Sequence, residues 1–334
     1  MNIEREKLFA LIKQRLPKNV SFIEEIADVL DISYDAMYRR INGKTVLSFS
    51  EAIKLAKFFK ISINSLYNIE DEDNLYVLKR SNSDSSKGLN TYFNTITKAA
   101  NFLTKFESAD LLLAAKDIPI YYLPENTLYT KFKLFIFSNI HTDQEPEHNI
   151  EFKLKNFEVS DSLNSSTKKL IAAYRNTSAT EIWNDTTIDS TLYQIYYFYE
   201  LRFINKDEAS QLCDEVKEVI KRVEIQAINC YKEGVQKKKY SLYYNKLIGL
   251  NNTVLFRSEK LKTLVVPYTA MSYLRIDDPK TCNEVAAYFS KQLKYSKKIC
   301  GTAEVGRQLF FTKMYEKIDQ LKKQVEVKSL ISFM

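Results

Sequence analysis

"DISYDAMYRRINGK", residues 31–44, decides how the first part of the chain is read. Ser33 stands where a helix N-cap belongs, because its hydroxyl can accept from a free backbone N–H of the first turn. Tyr34 to Ile41 follow, with Met37 and Ile41 four apart and so on one helical face. Arg39 and Arg40 sit side by side, Asn42-Gly43 stops the helix, and Lys44 adds a charge just past it. A helix with such a basic edge is either ordinary surface or built to lie against something negative.

On the N-terminal side, SFIEEIADVL (21–30) carries Ser21 and Glu24 in the S-x-x-E spacing of a capping box. Ile23, Ile26, Ala27 and Leu30 follow at helical spacing, and Asp31-Ile32 leaves a connection that only a steep crossing can use. Further out, Leu8, Leu11, Ile12 and Leu16 share a face of residues 3–16, which Pro17 closes. On the C-terminal side, Ser48 and Glu51 repeat the capping box. Phe49, Ala52, Leu55, Ala56 and Phe59 are expected on the inner face of the helix that follows, and residues 61–67 form a last short helix. The pattern is five short helices in the first 68 residues, with helices two and three at helix-turn-helix spacing.

The run "EEIADVLDIS…RINGK…SEAIKLAKFFKISINSLY" resembles the DNA-binding domain of the Cro/CI (phage-repressor-like, XRE) family, over residues 1–68 and nothing beyond. The resemblance implies that Tyr34 to Ile41 is a recognition helix. Tyr34, Asp35 and Arg39 would face base edges, with Ser33 and Tyr38 beside them, while Arg40, Asn42, Gly43 and Lys44 would lie near phosphates. The residue types suit those roles. Arginine pairs with guanine O6 and N7, and backbone N–H groups with a lysine past a helix end suit phosphate. The chain departs from the family's usual pattern at Asp31, where Gly is frequent, and at Ile23, where Gln is frequent. It also departs at Asp35, which phosphate repels and which can only accept from cytosine or adenine amino groups. Over residues 1–68, 11 Lys/Arg against 8 Asp/Glu leave +3.

The whole chain has 334 residues, room for a small and a large domain, with a net charge of +7 that is compatible with nucleic acid without requiring it. The opening residues have no apolar segment of signal-peptide type, and no run is long and apolar enough to span a bilayer, so a cytoplasmic protein is expected. Cys213, Cys230, Cys282 and Cys300 are scattered, which argues against a disulfide frame or zinc site. Neither G-x-G-x-x-G nor G-x-x-x-x-G-K-[ST] occurs, so dinucleotide and P-loop chemistry lack their backbone devices.

Residues 69–89, with the acidic IEDEDN and the Ser-rich KRSNSDSSKG, read as a flexible linker. Residues 90–334 then read as a larger, mainly helical region with a smaller β part. Helices are expected over 89–107, 161–176, 187–204, 206–236, 279–295 and 302–326. An antiparallel meander of about three strands is expected from YSLYYNKLIGL, TVLFRS and LKTLVVPYTAMSYLRI. Between 109 and 140 strands and short buried helices fit equally well.

Candidate chemistry there is thin. His141 and His148, among acidic residues, read as a solvated loop more readily than as a metal site. Cys213 and Cys230 read as small hydrophobes, Lys237 to Lys239 as a solvated helix end, and the aromatics from Tyr193 to Phe203 as core more than ligand pocket. No catalytic, cofactor-binding or metal-ligating residue is assigned, and an enzyme is not expected. The expected function is a bacterial-type, sequence-specific transcriptional regulator that binds double-stranded DNA as a homodimer. Residues 90–334 would dimerise or take a small-molecule or protein effector, with no membrane partner. The alternatives are an antitoxin- or defence-like protein-interaction component with autoregulatory DNA binding, and an enzyme carrying a DNA-binding head.

Overall fold

The computed structural model describes residues 3–17, 20–59, 61, 78–80, 85–103, 108–139, 153–247, 249–259, 261–268 and 273–331. The protein is mixed α and β and mostly helical. The first region holds α1 (Ile3–Arg15), α2 (Phe22–Leu30), α3 (Tyr34–Ile41) and α4 (Phe49–Phe58). Leu8, Ile12, Ile26, Met37 and Leu55 are buried in its core, each contributing about 1.5–3 kcal/mol by leaving water. Of the expected fifth helix only Ile61 is described, and it is buried; residues 62–67 lie outside the described residues.

Two local expectations fail here. The Ser21–Glu24 capping box does not form, since the Ser21 side chain makes no cap hydrogen bond. The same spelling at Ser48 and Glu51 does form, with each side chain meeting the other's backbone N–H. Phe49, expected on the inner face, is 69% exposed. It is the first residue of α4, one turn before Ala52, where contact with the core begins.

The stretch expected to be a flexible linker is partly structured. Strand β1 (Leu78–Arg80) pairs with a later strand of the sheet, and helix α5 (Ser85–Leu103) begins four residues before Leu89. From there the chain forms β2 (Asp110–Ala114), α6 (Leu128–Asn139), α7 (Asp161–Arg175), β3 (Ser178–Trp183), α8 (Asp189–Glu200) and α9 (Lys206–Asn229). Then come β4 (Tyr231–Lys232), β5 (Val235–Tyr244), β6 (Val254–Arg257), β7 (Lys262–Pro267), β8 (Tyr273–Ile276), α10 (Pro279–Lys294), β9 (Lys297–Lys298) and α11 (Glu304–Ile331). The described part of the ambiguous 109–140, residues 109–139, contains one strand and one helix, with a single 3-10 turn at Ile120–Tyr122 between them.

The β part is more than a meander. The sheet runs β1-β8-β7-β6-β2-β3-β5-β4, with β9 on β5. β6, β7 and β8 are the expected antiparallel meander, but YSLYY belongs to β5, which pairs parallel with β3; β3 in turn pairs parallel with β2. Parallel neighbours need long crossovers, and α6 with α7, then α8 with α9, supply them. Helix α9 ends at Asn229, seven residues short of the expected 236, and Cys230 follows it with φ 58°. Lys237 to Lys239 accordingly lie in β5 and not at a helix end.

The side-chain alternation of the strands separates two cores. Leu111, Leu113, Ala179, Trp183, Tyr240 and Leu242 face the large helical layer of α5 to α9 and α11. Leu112, Ala114, Ile182, Leu255 and Leu264 face the other side, where Cys282 and Phe289 of α10 cover them. Among the described residues no helix is long and apolar enough to cross a membrane.

Candidate nucleic-acid interface

The turn into α3 is made by Asp31 in the left-handed region (φ 58°, ψ 51°), the position where the resemblance expects Gly. Asp31 N–H donates to the Asp28 carbonyl at 3.2 Å and Ile32 N–H to Ala27 at 3.1 Å, which satisfies two of the last four carbonyls of α2. Ser33 then caps α3, its hydroxyl accepting from Ala36 N–H at 3.3 Å. Met37 is fully buried and fixes the rotation of the short helix. The opposite face is thereby presented to solvent: Asp35 and Arg39 are exposed, with Tyr34 49% and Tyr38 47% exposed.

Arg40 does not join them. Its guanidinium meets Glu51 at 2.9 Å (Nη2) and 3.1 Å (Nε), and Nη1 donates to the Ala36 carbonyl at 3.1 Å. Glu51 is the carboxylate that caps α4, accepting from Ser48 N–H at 2.8 Å. Desolvation raises the Glu51 pKa, but the bonds from Arg40 and Ser48 outweigh it and hold the carboxyl below its ordinary range. One ion pair thus ties the end of α3 to the start of α4. Arg40, expected near phosphates, is already engaged within the chain.

At the end of α3, Asn42 donates its side-chain amide to the Tyr38 carbonyl at 3.0 Å, and Gly43 adopts φ +72°. Lys44 N–H returns to the Arg39 carbonyl at 2.9 Å, and its side chain is exposed. A Cβ on Gly43 would stand 2.6 Å from Arg5 Nη1. Glycine is required there by the left-handed backbone, whereas the Cβ contact would displace only the flexible end of Arg5. Arg5 is the basic residue that sequence reasoning missed. It sits far from α3 in the chain and carries no motif, so only the packing of α1 brings it to the same end as Arg39 and Lys44. Val46 and Phe49, 79% and 69% exposed, extend this surface with apolar groups.

The larger region holds a different constellation, wholly enclosed. Glu181 on β3 is inaccessible to solvent. Its carboxylate accepts from Trp183 Nε1 at 2.8 Å, Tyr122 at 3.1 Å, Tyr240 at 3.3 Å and, in a short contact, Tyr174. Lys232 on β4 lies with Nζ 4.0 Å from Glu181 and 3.1 Å from the centre of the Tyr174 ring, and its ammonium has no hydrogen-bond partner. Burial drives the Lys232 pKa down to about 7, against the opposing pull of Glu181. Burial, reinforced by the Glu181 charge, pushes the phenols of Tyr122, Tyr174 and Tyr240 well above their ordinary range, so they act as donors. A second buried lysine, Lys133, is fully satisfied by Asp117 at 3.1 Å, Thr191 at 3.1 Å and Gln194 at 2.9 Å. Both arrangements are tight polar joints in the core and not open sites.

His141 and His148 lie outside the described residues, and among the described residues no group of His, Cys, Asp and Glu is placed to hold a metal. Burial lifts the Cys213 thiol to about 12 and those of Cys282 and Cys300 to about 11, which leaves them unreactive near neutral pH. The aromatic stripe of α8 divides. Phe198 packs on Phe132, Phe135 and Phe203, whereas Tyr193 and Tyr197 face solvent. No family model, curated protein or solved structure matches this chain.

Proposed function

We propose that this chain is a sequence-specific DNA-binding transcriptional regulator, active as a cytoplasmic homodimer. Residues 1–68 would form a Cro/CI-like head, and residues 90–334 would form the part that dimerises and takes an effector or protein partner. The observation that carries this reading is the exposed face of α3. Tyr34, Asp35, Tyr38 and Arg39 stand out from a helix held by Met37 and by the Arg40–Glu51 pair, with Lys44 and Arg5 at its end. Arg39 reaches base edges, Lys44 meets phosphate, and Arg40 keeps α3 rigid without touching DNA.

The test compares Arg39→Ala with Lys44→Ala on specific and random duplexes at several salt concentrations. Arg39→Ala is expected to cost about 1–3 kcal/mol on the specific site and to relax one base position. Lys44→Ala is expected to weaken both duplexes alike and to lower the salt slope by about one. Equal losses for both variants on random DNA would overturn these roles.

A second reading has its own support. Val46 and Phe49 present bare apolar surface beside α3, in a head with a net charge of only +3. That composition suits a protein partner on the same face, with DNA binding serving autoregulation. Under that reading Phe49→Ser abolishes capture of the partner and leaves affinity for DNA unchanged.

A further inference from the structure

Charge is unevenly spread over the large region. Residues 234–258 hold Lys237, Lys238, Lys239, Lys246 and Arg257 with no Asp or Glu, and residues 285–303 hold Lys291, Lys294, Lys297 and Lys298 with none. The two stretches carry nine cations and no anion, whereas the whole chain nets only +7. The fold sets them side by side. β9 pairs antiparallel with the end of β5, Lys298 opposite Tyr243 and Lys297 opposite Tyr244. Just beyond, the Asn245 side chain donates to the Ser296 hydroxyl at 2.8 Å, which ties the loop after β5 to the turn after α10.

Five exposed lysines meet at this corner of the sheet: Lys246, Lys291, Lys294, Lys297 and Lys298. Opposed residues of a strand pair share a face, so Lys298 lies with Tyr243 on the α10 side, the side of Lys291 and Lys294 in the last turn of α10. Lys297 turns to the other side, its stem against Gly306 of α11, where an added Cβ would stand 2.7 Å from Cε. Lys246 Nζ lies 5.7 Å from the centre of the Tyr244 ring. Tyr295, 75% exposed, stands among them. Among the described residues none of the five has a carboxylate partner, while Lys168, Lys217, Lys317 and Lys322 of the same region each have one. The carboxylates at the margin are Glu284 and Glu304, which bound the second stretch, and Asp185, already engaged by the Tyr244 hydroxyl at 3.2 Å and Lys313 at 3.9 Å.

Two local roles account for part of this cluster. Lysines in the last turn of α10 offset its dipole, and lysines on β9 guard a sheet edge. Neither role requires both neighbouring segments to be free of acid. We propose that this corner is a second DNA-binding surface, one that holds the phosphate backbone of a duplex without reading its sequence. The choice of duplex DNA rests on the regulator reading, and the surface lies outside the head to which that reading assigns DNA. Three arguments select this occupant. Lysine is a compact point charge that suits phosphate and demands no bidentate geometry. Protein interfaces favour arginine and are poor in lysine, and here all five cations are lysine. A basic helix that binds a membrane must offer it an apolar face, and that of α10, with Cys282, Phe289 and Leu293, is already packed on the sheet.

The experiment measures the affinity of the full chain for a random-sequence duplex by fluorescence anisotropy over a range of salt concentrations. The variant Lys291→Gln/Lys294→Gln/Lys297→Gln/Lys298→Gln is expected to lower the slope of log affinity against log salt by about three to four, because each phosphate contact contributes about 0.9. Affinity at about 0.1 M salt is expected to fall by about tenfold or more. The control Lys116→Gln/Lys153→Gln/Lys155→Gln/Lys169→Gln removes the same charge from exposed lysines elsewhere and is expected to stay within about one of the parent slope. Should the first variant not fold, Lys297→Gln/Lys298→Gln replaces it, with an expected loss of about two. A folded variant that keeps the parent slope, or a control that loses as much, would overturn the proposal. So would a parent chain that binds vesicles of phosphatidylcholine and phosphatidylserine but no duplex. Lys44→Ala without effect, beside a corner variant that loses affinity, would defeat the reading of α3 and leave this surface standing. The reverse result would defeat this surface alone.

Discussion

The first 59 residues and the sheet-centred region treat charged side chains in opposite ways. The head spends its buried volume on Leu8, Ile12, Ile26, Met37 and Leu55 and leaves Arg39, Lys44 and Asp35 in water. The larger region encloses Glu181, Lys232 and Lys133 completely or nearly so and rings them with hydroxyls and an indole. A perturbed lysine in a cleft would be a candidate reactive group. Lys232 is instead packed against two tyrosine rings. The contrast teaches that the strongest electrostatic perturbation in this chain belongs to its architecture, while its candidate recognition surface is made of exposed groups whose use depends on a partner.

The largest expected effect breaks the enclosed arrangement. Glu181→Leu leaves Tyr122, Tyr174, Tyr240 and Trp183 without their acceptor and Lys232 without its counter-charge. A loss of about 3–5 kcal/mol is expected in urea unfolding of the full chain. Glu181→Gln keeps one acceptor oxygen and is expected to cost less than Glu181→Leu. If Glu181→Leu unfolds at the parent's urea concentration, the network carries no stability.

Next comes pH. Lys232 has a folded-state pKa of about 7, below its ordinary value of 10.5. Between those values the unfolded chain holds a proton that the folded chain has released, so stability rises with pH across that window and is flat below it. The gain between about pH 7 and 9.5 is on the order of 3 kcal/mol. Lys232→Met, which fills the same space without a charge, is expected to flatten this rise. Parent and variant curves of equal slope would show that Lys232 does not titrate there.

The smallest effect sharpens the comparison within the head. Ser48→Ala removes a formed capping box and is expected to lower head stability by about 1 kcal/mol. Ser21→Ala removes a side chain that caps nothing and is expected to change stability by no more than about 0.3 kcal/mol. Thermal unfolding of both variants beside the parent decides it, and equal losses would mean that the motif stabilises wherever it is spelled.

What the sequence by itself determined is local. Helical periodicity, Pro17, Asn42-Gly43, and the caps at Ser33 and Ser48 mark where helices begin and end, because each acts within one or two turns of backbone. The outward face of α3 follows from the same periodicity once Met37 is taken as its buried residue. Only the tertiary structure decided the rest. A strand alternates its side chains identically beside parallel or antiparallel neighbours, so YSLYY could not reveal that it pairs with β3, about 60 residues earlier (Tyr240 with Ala179), and not with the meander. Arg40 looked like Arg39 until α4 delivered Glu51 to it, and Arg5 looked like any surface arginine until α1 laid it on Gly43. Glu181 and Lys232 sit 51 residues apart, 232 less 181, and were ordinary charges in the sequence. The crossover through α8 and α9 brings β4 back beside β5, next to β3, and that placement alone decides that both charges are buried together.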